Sequence, residues 1–156
     1  KKTLHQGGRI DQVIKFYMKD LDKMDFDICL IDTSPSRGKI NDAVLCYVEG
    51  LILPVQLQSA SVRSIGNIYS YLSEMFISPE IIRAVIPNMY NQSTNDSKQN
   101  LQFLQEFFKE QDIVTPAIPV RTKISEAGKL GKAVYEHDQE ASEHFTKVIE
   151  RLVSLI

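Results

Sequence analysis

The stretch "DICLIDTSPSRG" (27–38) runs an apolar segment into an aspartate, Asp32, and then into a loop of small residues. A carboxylate delivered to the end of a buried strand is costly unless a cation or a hydrogen-bond donor meets it. Two chemistries answer that need. Asp32 could hold a hydrated magnesium ion at a nucleotide phosphate, since magnesium keeps several waters and takes only one or two carboxylates besides phosphate oxygens. It could equally accept from the backbone amides of Ser34 or Ser36 as an Asx turn, which is ordinary loop chemistry. The remaining reactive side chains offer less. Cys29 and Cys46 sit inside apolar patterns without CxxC spacing, so they read as buried reduced thiols in a reducing cytoplasm. His5, His137 and His144 are scattered among polar residues and lack metal-ligand spacing.

Positioning Asp32 requires a scaffold, and the periodicity supplies one. Ile10, Val13, Ile14, Tyr17, Met18 and Leu21 recur at helical spacing. "DICLID" follows as a strand apolar on both faces, as in a parallel strand covered by helices. Asn41 is placed to cap a short helix through Tyr47, and "GLILPV" (50–55) reads as a second buried strand. Ser59 or Ser61 can cap a longer helix with Ile65, Tyr69, Leu72 and Phe76 on one face. "EIIRAVIP" (80–87) is a third strand ended by proline, and residues 97–110 a helix with Leu101, Leu104 and Phe108 inward. "DIVTPAIP" (112–119) is a short strand whose prolines suit an edge. Residues 120–138 read mostly as loop, and residues 141–155 as a helix burying Phe145, Val148, Ile149 and Leu152.

Strands alternating with helices over 156 residues imply a single α/β domain, a largely parallel sheet with helices on both faces. In such sheets ligands bind at the carboxyl ends of the strands. That edge would gather Asp32, the loop after Val55, Asn88 and the loop after Pro119.

Longer patterns add a family. "IDTSPSRG" followed by "AVLCYVEGLILPVQLQSASVRSIGNI" resembles the deviant Walker A ATPases of the ParA/MinD class, the ParA/Soj-type partition proteins above all. "VIPNMYNQSTNDSKQNLQFLQEFF" and "AIPVRTKISEAGKLGKAVYEHDQEASEHFTKVIERL" are similar to the family's later segments in the same order. The resemblance implies a P-loop NTPase-like fold of the SIMIBI class. It implies ATP and Mg²⁺ as cofactors, with Asp32 as the Walker B aspartate acting on magnesium through water. Thr33, Ser34, Pro35 and Ser36 match the switch loop that senses the γ-phosphate, with Ser34 replacing the first proline of the family's pair. Asn88, with Met89 after it, matches the adenine-reading strand end, although a turn residue after a strand looks the same. Pro119 and Val120 match the segment lying against the adenine, and Glu126 the recurring "SEA" glutamate near the nucleotide. A glutamate in a helix's first turn, favoured by the helix dipole, is the plain alternative.

The family's phosphate loop, KGGxGKT-like, is not found in this sequence. "HQGGRID" has no lysine–threonine pair, and "GKLGKAV" lacks the hydroxyl residue that would meet magnesium. No switch I aspartate is assignable upstream of Asp32. The reading is therefore the carboxyl-terminal portion of a longer ATPase, without its amino-terminal strand and P-loop and inactive alone. In the family the P-loop strand lies beside the Walker B strand, so "DICLID" and "GLILPV" are expected to have unpaired edges, an aggregation liability. The chain should then close the gap, pair with another chain, or need its missing part.

A net charge of −2, with 43% apolar and 24% charged residues, gives no global drive toward nucleic acid or anionic lipid. No apolar run reaches the ~20 residues of a membrane span. The resemblance implies self-association as a dimer, a ParB-like centromere-binding partner and non-specific DNA binding in the complete protein, in the cytoplasm at the nucleoid. Arg121, Lys123, Lys129 and Lys132 are the candidate phosphate contacts, and a solvated surface balanced by nearby carboxylates is the alternative. A non-catalytic interaction module with a degenerate nucleotide-binding fold is the competing function.

Overall fold

The computed structural model describes Phe16, Lys19 and residues 23–34 and 38–156. The helix expected over the first twenty-odd residues, and Pro35 and Ser36 of the switch loop, lie outside the described residues. The chain divides into two compact units, Lys1–Glu49 and Gly50–Ile156.

In the first unit, residues 26–34 belong to no sheet, which corrects the strand expected at "DICLID". A strand is defined by its ladder partner, and an apolar run without one has nowhere to send its backbone hydrogen bonds except solvent. Phe26, Ile28, Leu30 and Cys29 are accordingly exposed, and Cys46 is exposed too, so neither thiol is buried as the apolar pattern suggested. The expected gap is not closed by sheet pairing among the described residues. Helix α1 (Lys39–Leu45) starts from an extended Gly38 rather than from Asn41. Asn41 lies within the helix's first turn, and its Nδ2 reaches back to the Ser34 carbonyl at 2.8 Å. Ser34 is thereby tied to α1 by a side chain assigned from sequence to capping.

The second unit is a parallel α/β assembly, as the alternating pattern predicted. Strand β1 (Leu51–Gln56) pairs with β2 (Ile82–Asn88) in parallel, Ile52 opposite Ala84 through Gln56 opposite Asn88, with an irregularity at Leu51. The Leu57 amide donates to the Asn88 carbonyl, so by alternation Val55 and Leu53 also face β2 while Pro54 faces away. Pro54 thus sits where its missing N–H breaks no ladder bond. On its other side β2 meets residues 113–120, through parallel bridges at Val85–Val114 and Tyr90–Pro119. Between the bridges neither Pro87 nor Pro116 has an N–H to give, and the contact is carried by the Ile118 amide donating to the Pro87 carbonyl at 2.9 Å, so the segment forms isolated bridges rather than a continuous strand.

The helix expected after Ser59 is two pieces, α2 (Ser59–Arg63) and α3 (Ile65–Glu74), bent at Ser64. Helix α4 (Asn95–Phe107) follows the polar loop and buries Leu104, with Phe108 just past its end. Residues 120–138 are more helical than expected, holding α5 (Thr122–Lys129) and α6 (Val134–His137). Helix α7 (Gln139–Leu155) is capped by the Asp138 carboxylate, which accepts from the Ala141 amide at 2.7 Å. It packs on β2 while α2 packs on β1. Val148 is buried, but Ile149, expected inward, is exposed.

Two helix ends use the same closure with opposite residues. At the end of α3, Phe76 donates to the Ser73 carbonyl and Ile77 to Leu72; at the end of α5, Gly131 donates to Gly128 and Lys132 to Ala127. Both are Schellman motifs whose pivotal residue is left-handed, Phe76 at φ 57° and Gly131 at φ 63°. Glycine tolerates that region and phenylalanine does not. Phe76 is also not on the helix face expected of it but 97% exposed, so its ring offsets none of the strain. Phe76→Gly is expected to stabilise the chain by about 1 kcal/mol and Gly131→Ala to destabilise it by about the same amount. Opposite shifts in thermal midpoint, read by circular dichroism, check the pair; two shifts of one sign contradict it.

Candidate functional site

The carboxyl edge of the second unit brings together four of the residues singled out from sequence. The Asn88 carbonyl receives the Leu57 amide at 3.0 Å, and its Oδ1 accepts from the Met89 amide at 2.8 Å. Met89 is left-handed, at φ 57°, which turns the chain sharply so that Tyr90 can reach the edge segment. There the Tyr90 amide donates to Ile118 and the Val120 amide donates to Tyr90, both at 2.9 Å. Asn88 and Met89 are therefore contiguous with Pro119 and Val120 through the Tyr90 ladder, with Met89 and Val120 exposed. Ladder geometry of this kind is stiff. The loop beyond is pinned as well: the buried Ser97 hydroxyl accepts from the Asn91 amide at 3.0 Å, and Asn91 Oδ1 accepts from Ser93.

Asn88 spends one lone-pair direction of its amide oxygen on its own turn. Its Nδ2 donors and remaining acceptor capacity stay available for a flat polar edge such as a nucleobase. The residues present thus fit an adenine at this edge, with Pro119 and Val120 as the apolar flank.

Glu126 does not face an open cleft. Its Oε2 is 2.8 Å from Lys123 Nζ and 3.4 Å from His137 Nε2. Hydrogen bonding to Lys123 first, and then to His137, holds its carboxyl below the usual glutamate range, and the same contact raises Lys123. A depressed carboxyl stabilises the fold fully above the ordinary glutamate pKa and loses that contribution as pH falls through the lower folded value. The expected result is an acid-side decline in the stability of the α5–α6 region that Glu126→Gln removes; NMR titration of the Glu126 carboxyl in the wild type checks the direction of the shift. An ordinary or raised pKa contradicts it.

Of the four candidate DNA contacts, Arg121 lies 2.6 Å from Glu140 and Lys123 is paired with Glu126, while Lys129 and Lys132 have no partner among the described residues. Half of the cluster is neutralised internally, as in a balanced surface. The carboxylates responsible, Glu126 and Glu140, come from α5 and α7. Their pairing, and the role of His137 beside Glu126, were not assigned from sequence; Lys123 reaches Glu126 at i,i+3 spacing within α5, while the turn at Gly131 and the cap at Asp138 bring His137 and Glu140 within reach.

Asp32 and Thr33 are exposed, and Asp32 makes no hydrogen bond or ion pair among the described residues. A single free carboxylate suits magnesium held through water, which asks for no second protein ligand. Among the described residues no three His, Cys, Asp or Glu side chains gather as a metal cage, and no helix is long and apolar enough to cross a membrane.

A family described as AAA domain (AAA_31) matches residues 2–80. The chain is 25% identical over 115 residues to the chromosome-partitioning ATPase Soj of Thermus thermophilus, covering 72% of this chain and 46% of Soj. It is 24% identical over 134 residues to the protein IncC of Escherichia coli (84% and 37%). Over 119 residues it is 23% identical to the sporulation initiation inhibitor protein Soj of Bacillus subtilis (74% and 47%). The chain thus spans less than half the length of the curated relatives it matches. In three dimensions it resembles apo McdA from Cyanthece, with a TM-score of 0.70 at 23% identity over 93% of this chain and 60% of McdA, a likeness of fold. With half of its residues under the family match, the chain belongs to the AAA-domain family, and the relatives it matches are of the ParA/Soj type.

Proposed function

We propose that this chain supplies the adenine-side edge and the Walker B and switch segment of a ParA-like ATPase that partitions plasmid or chromosomal DNA. The observation that carries the reading is the stiff junction of Asn88 and Met89 with Pro119 and Val120 at the carboxyl edge of the sheet. In the complete protein Asp32 would hold magnesium through water, and Thr33, Pro35 and Ser36 would respond to the γ-phosphate. Binding of Mg-ATP would drive dimerisation and non-specific DNA binding, in the cytoplasm at the nucleoid. A ParB-like partner would stimulate hydrolysis. Lys129 and Lys132, unpaired among the described residues, are the better of the four candidate phosphate contacts.

The second reading, a non-catalytic interaction module, is favoured by one observation: the Asp32 segment belongs to no sheet. The two part on one experiment. The coding sequence immediately upstream is read for an in-frame KGGxGKT segment, and its product is assayed for magnesium-dependent ATP hydrolysis. A product with that segment that neither binds nor hydrolyses ATP leaves the interaction module standing.

A further inference from the structure

A cavity of about 320 Å³ opens between α2, which begins three residues past the carboxyl end of β1, and α4, lined by Ser59, Val62, Arg63, Gln99, Asn100 and Phe103. Its donors and acceptors do not balance. The Asn100 Nδ2 is shielded from water and has no acceptor, and a buried amide in that state costs free energy until one arrives. Arg63 and Gln99 have no partner among the described residues. The Ser59 hydroxyl is already committed, donating to Asp96 Oδ1 at 2.6 Å. Beneath these groups the wall is apolar, with Val62 buried and Phe103 half exposed. The apolar surface continues outside the cavity: Phe103 stacks on Phe107 at 5.7 Å between centroids, and Tyr69 meets Phe107 edge-on at 5.9 Å.

We propose that this cavity and its aromatic strip are a docking site for an acidic, apolar-rich segment of a partner protein. A carboxylate of the segment takes the Arg63 guanidinium and the Asn100 amide, and its neighbouring apolar side chains lie on Phe103, Phe107 and Tyr69. An unmatched cation beside an unmatched amide donor calls for an anionic acceptor, and Arg with a carboxylate is the strongest such pairing. The Asn100 amide turns about a soft, two-fold torsion, so presenting Nδ2 to the cavity needs no backbone movement. A small carboxylate would fill the cavity alone, whereas the strip extends beyond it; the segment uses both. Two carboxylates oppose an acidic segment, and both are engaged: Asp96 by the Ser59 hydroxyl and Glu106, next to Phe107 on α4, by Lys109 at 3.4 Å.

The test uses the whole chain and a fluorescein-labelled acetylated hexapeptide, Leu-Glu-Leu-Phe-Glu-Leu, read by anisotropy, with the glutamine-for-glutamate peptide as comparison. The glutamate peptide is expected to bind about tenfold more tightly, and Arg63→Gln to remove that preference. Arg63 is exposed, so this variant does not endanger the fold. Asn100→Leu is expected to weaken the peptide while raising the thermal midpoint, because it deletes an orphaned donor; a purely structural asparagine would lower the midpoint instead. Equal binding of the two peptides, an unchanged dissociation constant in Arg63→Gln, or no binding of either at millimolar concentration overturns the proposal. Phenylacetate competing as well as the free peptide at equal concentration also overturns it, since the site would then belong to a small carboxylate.

Discussion

Replacing Phe108 by alanine is expected to remove about 3–5 kcal/mol of stability from the second unit. The side chain is 1% exposed at the end of α4, with the Phe107 ring edge-on at 4.9 Å, and it belongs to the core beside Leu104 and Leu72. Its backbone also closes the helix, the Phe108 amide donating to Leu104 and its carbonyl accepting from Asp112. Truncation leaves a cavity that these fixed hydrogen bonds keep from collapsing, which places the loss in the upper part of the range seen for such changes. Domains of this size hold about 5–15 kcal/mol in all, so the variant stands near the edge of folding. Urea denaturation followed by far-ultraviolet circular dichroism measures it. Tyr135→Ala, 72% exposed, serves as the control and is expected to fall within about 0.5 kcal/mol of the wild type. A loss below about 1 kcal/mol for Phe108→Ala would contradict the assigned core.

On the proposed function, the largest functional effect is expected at Asp32, read in a product of the reading frame that is found to hydrolyse ATP. Charge stabilisation through a bound metal contributes several kcal/mol, and each 1.36 kcal/mol is a factor of ten, so Asp32→Ala is expected to lower turnover by about a hundredfold or more. Because Asp32 is exposed and unpartnered among the described residues, the loss comes without unfolding. Asp32→Asn separates the two chemistries open to this residue. Asparagine can still close an Asx turn but brings no charge to magnesium, so the turn survives and activity does not. Phosphate release measured for both variants decides it, and full activity in Asp32→Asn would return Asp32 to loop chemistry.

Much of the second unit was legible in the sequence. "GLILPV" and "EIIRAVIP" became β1 and β2 because continuous apolar runs bounded by glycine and proline have few other uses. "DIVTPAIP", expected as a short strand, forms only two isolated bridges beside β2, since its prolines have no N–H to give a continuous ladder. Asn88, Met89, Pro119 and Val120 were found by matching family segments, and the ladder through Tyr90 is what makes them neighbours. Other positions resisted reading. Phe76 had the right spacing for a buried helix face but lies one residue past the cap, because α3 closes at Glu74 through two backbone hydrogen bonds that no side-chain pattern announces. Asn41 looked like a cap and instead ties Ser34 to the first turn of α1.

Local chemistry and periodicity were enough for the parallel α/β class and for most elements of the second unit, and the resemblance of longer segments was enough for the family. They were enough because propensity, apolar period and proline or glycine punctuation act within a few residues. Pairing was settled in three dimensions. The apolar run before Asp32 joins no sheet, since a strand exists only where a second backbone accepts its hydrogen bonds. Glu126 and Arg121, read as possible ligand contacts, are held by Lys123 within α5 and by His137 and Glu140 from α6 and α7, which the Gly131 turn and the Asp138 cap bring back beside α5. The Lys123–Glu126 pair follows from i,i+3 spacing on one helix, whereas the pairs to His137 and Glu140 depend on distance in space.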